Sequence, residues 1–211
     1  MSDLEFDPAT HVYRADGVEV PSVTQCLPDP PEAAQVDASV WIAKQELGRA
    51  VHLAIELDVL GELDESTVVG RVEPYFEAWR QFRDDLGHRL VIHHAERRLW
   101  CPTYRYAGQI DLDLSIDGVR FIVDAKATYA KPAPAVDLQL AGYRRLVRQA
   151  ELLSGCEVPK AMALWLRPQL ARKYELVPMT MQPDVAERQF LAFVSCEHWR
   201  RANGYNEGAI I

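Results

Sequence analysis

Residues 108–126 read Gly108-Gln109-Ile110-Asp111-Leu112-Asp113-Leu114-Ser115-Ile116-Asp117-Gly118-Val119-Arg120-Phe121-Ile122-Val123-Asp124-Ala125-Lys126. From Gln109 to Ile116 polar and apolar residues alternate, the period of a half-buried strand. Asp117-Gly118 supplies the two residues of a type I′ turn, which accepts positive φ at both positions. That turn sets Ile116 against Val119, Leu114 against Phe121, Leu112 against Val123 and Ile110 against Ala125. All four pairs are apolar, an independent check on register. On the other face the same register sets Asp111 against Asp124 and Gln109 against Lys126.

Directly opposed side chains have Cβ atoms about 5 Å apart, and like charges there destabilise a sheet. Two facing carboxylates therefore need compensation. A shared proton would raise one pKa. A divalent cation would bind both through oxygen, as Mg²⁺ does at about 2.1 Å. A solvated Asp124–Lys126 pair on an exposed strand is the plainer alternative. The run Arg120-Phe121-Ile122-Val123 is that of a central strand, where half-buried charges are usually paired or on a metal.

Around this hairpin the chain organises as α+β. His11 to Val20 is a small hairpin turned by Asp16-Gly17, followed by the loop Pro28-Asp29-Pro30-Pro31. Ala38 to Asp58 is a helix with Val40, Ala43, Leu47, Val51, Ala54 and Ile55 as its apolar stripe, stopped by Gly61. A second helix covers Val72 to Leu86. Strands follow at Leu90–Trp100 and in the hairpin Tyr106–Lys126. Ala135 to Leu153 is a helix closed by Gly155. Ala161–Arg167 and Arg172–Val177 are strands, and Asp184–Ala202 is the last helix. The expected architecture is one domain of 211 residues: an N-terminal hairpin and helices (1–88), a sheet with its helix (89–180) and a C-terminal helix (181–211).

Composition sets limits. The chain is 48% apolar and 26% charged, which suits a folded domain. No apolar run reaches the roughly 18 residues of a membrane span. The acidic start Met1 to Asp7 does not read as a secretory signal, so a reducing cytoplasm is expected. The four cysteines, Cys26, Cys101, Cys156 and Cys196, lack close spacing, so no iron–sulfur cluster or zinc ribbon is expected. No phosphate-binding G-x-x-x-x-G-K-[ST] loop occurs, so no nucleotide is expected. Net charge is −8, but residues 1–70 hold 3 basic and 14 acidic side chains while residues 120–173 hold 10 and 4. Such asymmetry allows a cationic surface on an acidic chain, and equally an uneven solvated one. Trp41, Trp79, Trp100, Trp165 and Trp199 are scattered, which suits core packing better than a base-stacking platform.

Several elements in order resemble the PD-(D/E)XK nuclease superfamily, and within it the RecB-like, phage-exonuclease-like branch. They are Gly108-Gln109-Ile110-Asp111, then Asp124-Ala125-Lys126, then Gln139-Leu140-Ala141-Gly142-Tyr143 on the next helix. Gly48-Arg49-Ala50-Val51-His52 stands upstream, with Glu96 in the strand before the hairpin and Pro21-Ser22-Val23-Thr24 near the start. Ile110 stands where the family carries proline. The resemblance implies a restriction-endonuclease-like core, a central mixed β-sheet flanked by helices. It implies a Mg²⁺-dependent deoxyribonuclease, with Mn²⁺ as a substitute. His52, Asp111, Asp124 and the Ala125 carbonyl would be its ligands. Lys126 would orient or deprotonate the attacking water, and Glu96 would bind a second metal or position that water. Gln139 would orient Lys126 or a phosphate, with Tyr143 near the scissile nucleotide. Arg144, Arg145, Arg148 and Lys131 would contact DNA phosphates, unless the arginines only complete a solvated face.

The implied role is an end-processing exonuclease in recombination, repair or phage DNA processing. It would work with a single-strand annealing protein or a helicase, as a single chain or as a homo-oligomer. A structure-specific endonuclease and a catalytically silent DNA- or protein-binding module are the alternatives.

Overall fold

A computed structural model describes residues 4–28, 37–127, 134–151 and 157–205. Two sheets organise them. The small one is antiparallel, with strands β1 (Leu4–Asp7), β2 (Val12–Ala15) and β3 (Val18–Val20) in that order. Asp16 and Gly17 turn β2 into β3 with φ of 51° and 74°, as a type I′ turn requires. The strand β1 adds an element that the sequence pattern did not suggest.

The large sheet has five strands in sequence order: β4 (Leu90–Cys101), β5 (Tyr106–Ile116), β6 (Val119–Lys126), β7 (Lys160–Leu166) and β8 (Tyr174–Pro178). All neighbours are antiparallel except β6 and β7, so the sheet is mixed. The parallel pair is joined through helix α3 (Pro134–Ala150), the crossover that parallel strands need. Helices α1 (Ala38–Leu60) and α2 (Glu73–Leu86) cover one face of the sheet. Helix α3, backed by α4 (Pro183–Ala202), covers the other. The protein is α+β with a five-stranded mixed central sheet, and no described helix is long and apolar enough to cross a membrane.

Local chemistry sets the helix ends. Asp37 caps α1 by accepting from the Ser39 N–H at 2.8 Å. Gly61, at φ 72°, ends it in a Schellman motif, its N–H reaching Asp58 O while the Glu62 N–H reaches Leu57 O. Asp58 then ties α1 to α2, accepting from Trp79 Nε1 at 2.6 Å and from Arg83. Val51, Ala54 and Ile55 are buried as expected, but Val40 is 47% exposed. The first turns of α1 therefore lack the cover that its second half receives from α2 and the sheet. Of the tryptophans, Trp79 and Trp165 are buried, whereas Trp41 and Trp199 are exposed, so the expected core role fails for those two. Gly155, Cys156, Lys131 and Asp29 to Pro31 lie outside the described residues.

The β5–β6 register follows the turn as expected from Ile116↔Val119 to Leu112↔Val123, and there the ladder stops. Ile110 does not face Ala125. It packs with Ile122, Tyr143 and Leu146 beneath α3, whereas Leu112, Leu114, Val123 and Ala125 belong to the core beneath α1 and α2. The strict alternation is thus broken at Asp111, and the four apolar residues do not share one face. The physical cause is a side chain. Asp111 Oδ2 accepts the Ala125 N–H at 2.7 Å, giving that buried amide a carboxylate partner where the ladder has ended. On the other side of β5, β4 carries an irregularity between Ile92 and His94, and Glu96 has φ 51°.

Candidate active site

The end of the β5–β6 ladder opens into a cleft of about 530 Å³, bounded by α1, α3 and the N-terminal sheet. The small sheet is fixed there by backbone bonds to β5, Val23 N–H to Ala107 O at 2.8 Å and Ala107 N–H to Pro21 O at 2.9 Å. The stretch Pro21-Ser22-Val23-Thr24 makes that junction.

His52 reaches in from α1. Its Nε2 lies 3.0 Å from the Ala125 carbonyl. A carbonyl only accepts, so Nε2 carries a proton. Nδ1 lies 3.4 Å from Glu96 Oε1 and 3.5 Å from Asp111 Oδ1. Burial disfavours charge on the ring, but Asp111 and Glu96 outweigh it and hold the His52 pKa well above 6.5. A proton on Nδ1 and a metal ion would compete for the same place between the two carboxylates, because only the neutral ring has a lone pair to ligate. Burial likewise works against the Asp111 carboxylate, and His52, Lys126 and the Ala125 N–H reverse the balance, leaving its pKa lowered.

Asp124 behaves differently. It is 2% exposed and pairs with Lys126 Nζ at 2.7 Å. Burial pushes its pKa up and the neighbouring Asp111 adds to the rise, while Lys126 opposes it. Lys126 Nζ also donates to Gln139 Oε1 at 2.9 Å, and Gln139 Nε2 donates to Tyr143 Oη at 3.1 Å. Burial, with Asp111 and Asp124 nearby, keeps the Tyr143 phenol protonated far above pH 10. The i, i+4 spacing of Gln139 and Tyr143 on α3 thus becomes a relay ending on the lysine.

The ligand geometry differs from expectation in one respect. His52, Glu96 and Asp111 offer atoms that all lie within 4.8 Å of one another, a set fit for one metal ion. Glu96, expected in a secondary role, completes that set, while Asp124 faces Lys126. One imidazole and two carboxylates could hold a divalent cation, with the carboxylates favouring hard ions and the imidazole transition metals. The left-handed φ of Glu96 is unusual for a residue other than glycine, and strain of this kind clusters at functional sites.

Gln109 does not face Lys126. Its Nε2 donates to Glu96 and its Oε1 accepts from Arg98 Nε at 2.7 Å. Gly48 lines the cleft, and a Cβ there would meet no protein atom within 4 Å.

The expected phosphate-contacting arginines are employed elsewhere. Arg144 donates to Pro159 O at 2.8 Å. Arg145 and Arg148 pair with Glu187 of α4, and Arg145 also covers the Tyr104 ring at 5.1 Å. They clamp α3 to α4 because the acidic partner that claims them lies 42 and 39 residues further along the chain. The cations that line the cleft are Lys44, Arg49, Arg98 and Lys126. The first three escaped the sequence reading because no motif contains Lys44 or Arg98, and Arg49 appeared only as a spacer before His52.

A scan against protein-family models and a comparison with curated proteins found no match to this chain.

Proposed function

We propose that this chain is a metal-dependent DNA nuclease with a restriction-endonuclease-like core of the PD-(D/E)XK, RecB-like kind, acting on DNA ends as an exonuclease. The observation that carries the reading is the convergence of His52, Glu96 and Asp111 beside an Asp124–Lys126–Gln139 chain in one cleft. Such a constellation joins a cation ligand set to an ammonium held at a fixed position, two parts that a metal-assisted phosphodiester hydrolysis can use.

His52, Glu96 and Asp111 would hold Mg²⁺ or Mn²⁺, with the Ala125 carbonyl available beside them. A bound cation supplies Lewis-acid polarisation of the scissile phosphate and lowers the pKa of a bound water. Lys126 orients the attacking water and offsets charge developing on the phosphate. Asp124 and Gln139 hold the lysine in place, and Gln109 holds Glu96. The open flank of Gly48 lets a strand approach α1 closely.

The direct test is incubation of the purified chain with linear and circular DNA in Mg²⁺, Mn²⁺ or EDTA. Metal-dependent loss of linear DNA with circles intact is the expected result. Nicking of circles would replace the exonuclease by an endonuclease of the same centre. Retention of DNA without cleavage in any metal would leave a binding module and overturn the catalytic reading.

A further inference from the structure

The N-terminal sheet and its β1–β2 loop contribute three aromatic rings to the cleft. Phe6 and Tyr13 lie 4.6 Å apart, and His11 stands edge-on to both at 5.3 and 5.9 Å. The Arg98 guanidinium covers Phe6 at 4.7 Å and is bonded through Gln109 to Glu96 of the candidate metal set. Tyr13 is buried, Phe6 half-buried and His11 exposed. The loop that presents His11 is built rather than slack. Asp7 accepts from the Ala9 N–H at 2.9 Å and the Thr10 hydroxyl at 2.7 Å, and His11 itself has φ 55°. Partial desolvation against the neighbouring rings, reinforced by Arg49, lowers the His11 pKa from its usual value.

Aromatic faces alternating with cations in a groove are the recognition chemistry of unpaired nucleotides. Each base presents a π-face, and the phosphates need positive charge. The cleft's volume falls within the roughly 300–1,000 Å³ of sites for single small ligands, which suits a frayed strand end better than a duplex. We infer that the N-terminal sheet is a base-stacking wall of the catalytic cleft, on which the exposed His11 ring, backed by Phe6, receives an unpaired base while Arg98, Arg49 and Lys44 face the adjoining phosphates. This assignment rests on the nuclease reading. It makes the strand next to the scissile bond single-stranded, and it makes Arg98 and Gln109 the link between a seated base and Glu96.

The test is a fluorescence-anisotropy titration of the whole chain, with Ca²⁺ replacing Mg²⁺ to hold back cleavage. The probes are a labelled single-stranded 12-mer, its blunt duplex, and the same strand made abasic over three nucleotides at each end. The wild-type chain is expected to bind the normal strand at least about fivefold tighter than the abasic one, from a stacking contribution of about 1–3 kcal/mol per base. It is also expected to prefer the strand to the duplex. In His11→Ala, an exposed change that spares the sheet, the preference over the abasic strand should fall to within about twofold, and His11→Phe should restore it. Phe6→Ala should act likewise wherever its circular-dichroism melt matches wild type. Equal wild-type binding of normal and abasic strands would overturn the wall, as would a preference that His11→Ala leaves intact. Base-dependent binding with no cleavage in Mg²⁺ would keep the wall and remove the nuclease reading. Cleavage without base-dependent binding would do the reverse.

Discussion

Lys126 is held from two sides, by the Asp124 carboxylate and the Gln139 amide, and that restraint separates a positioned ammonium from a solvated one. Lys126→Ala should reduce metal-dependent cleavage by about 10²-fold or more, the scale of a lost positioned proton-transfer or charge-stabilising group. Its melting curve should stay close to that of the wild-type chain. Full activity in the purified variant would remove Lys126 from the mechanism. Asp111 and Asp124 illustrate what single residues disclose in a sequence. The Asp-Gly turn fixes the register only as far as Leu112 against Val123, so the expected cross-strand pair of Asp111 with Asp124 is not made, although both carboxylates line one cleft. Their separate partners were not legible, because Asp111 bonds the Ala125 amide and His52, and no local pattern encodes a bond to a histidine some sixty residues upstream. Glu96 was visible only as an acidic residue in a strand, since nothing in its neighbours announces a left-handed φ.

Helices α1 and α3 each carry an internal glycine, and the two should respond oppositely to alanine. Gly142 abuts Phe190 of α4, where a Cβ would fall 2.8 Å from a ring carbon that is fully buried and cannot retreat. Overpacking of this kind costs about 1–3 kcal/mol, more than the ~1 kcal/mol gained in helix propensity. Gly142→Ala should therefore lower the free energy of unfolding in a urea titration. Gly48→Ala fills open space in α1 and should raise it by up to about 1 kcal/mol. The reverse ordering would contradict the packing described between α3 and α4. Element positions were legible because periodicity and Gly or Pro stops are local, and α1 even ends at the glycine expected. Which side of each element is covered was less so. Arg144, Arg145 and Arg148 fall where a phosphate track would run, yet α4 claims two of them through Glu187. The stripe on α1 begins at an exposed Val40, since helical spacing records amphipathicity and not the reach of neighbouring elements.

Across the whole fold, one charge network ties the sheet to the end of α3. Asp113 is fully buried and pairs with Arg120 and Arg97, and both arginines also pair with Glu151. The Arg120 hydrogen bonds, against partial burial and with Arg97 assisting, hold the Glu151 pKa at about 2 against an ordinary 4.5. A depressed carboxylate stabilises the folded chain above its unfolded value and loses that contribution as pH falls through the folded one. Stability should therefore drop between about pH 4.5 and 2, and Glu151→Gln should flatten that part of the curve in denaturant melts. An unchanged slope in the variant would assign the acid sensitivity to other groups. The network is separate from the cleft's own charges, which include Lys44, Arg49, Arg98, Glu96 and Asp111.

The central claim is that a divalent cation settles where the β5–β6 ladder ends. A crystal soaked in Mn²⁺ and measured for anomalous scattering tests it most directly. The expected result is a peak within coordinating distance of His52, Glu96 and Asp111, lost in Asp111→Asn. A cleft without such a peak, in a crystal whose Mn²⁺ binds only at other places, would contradict it.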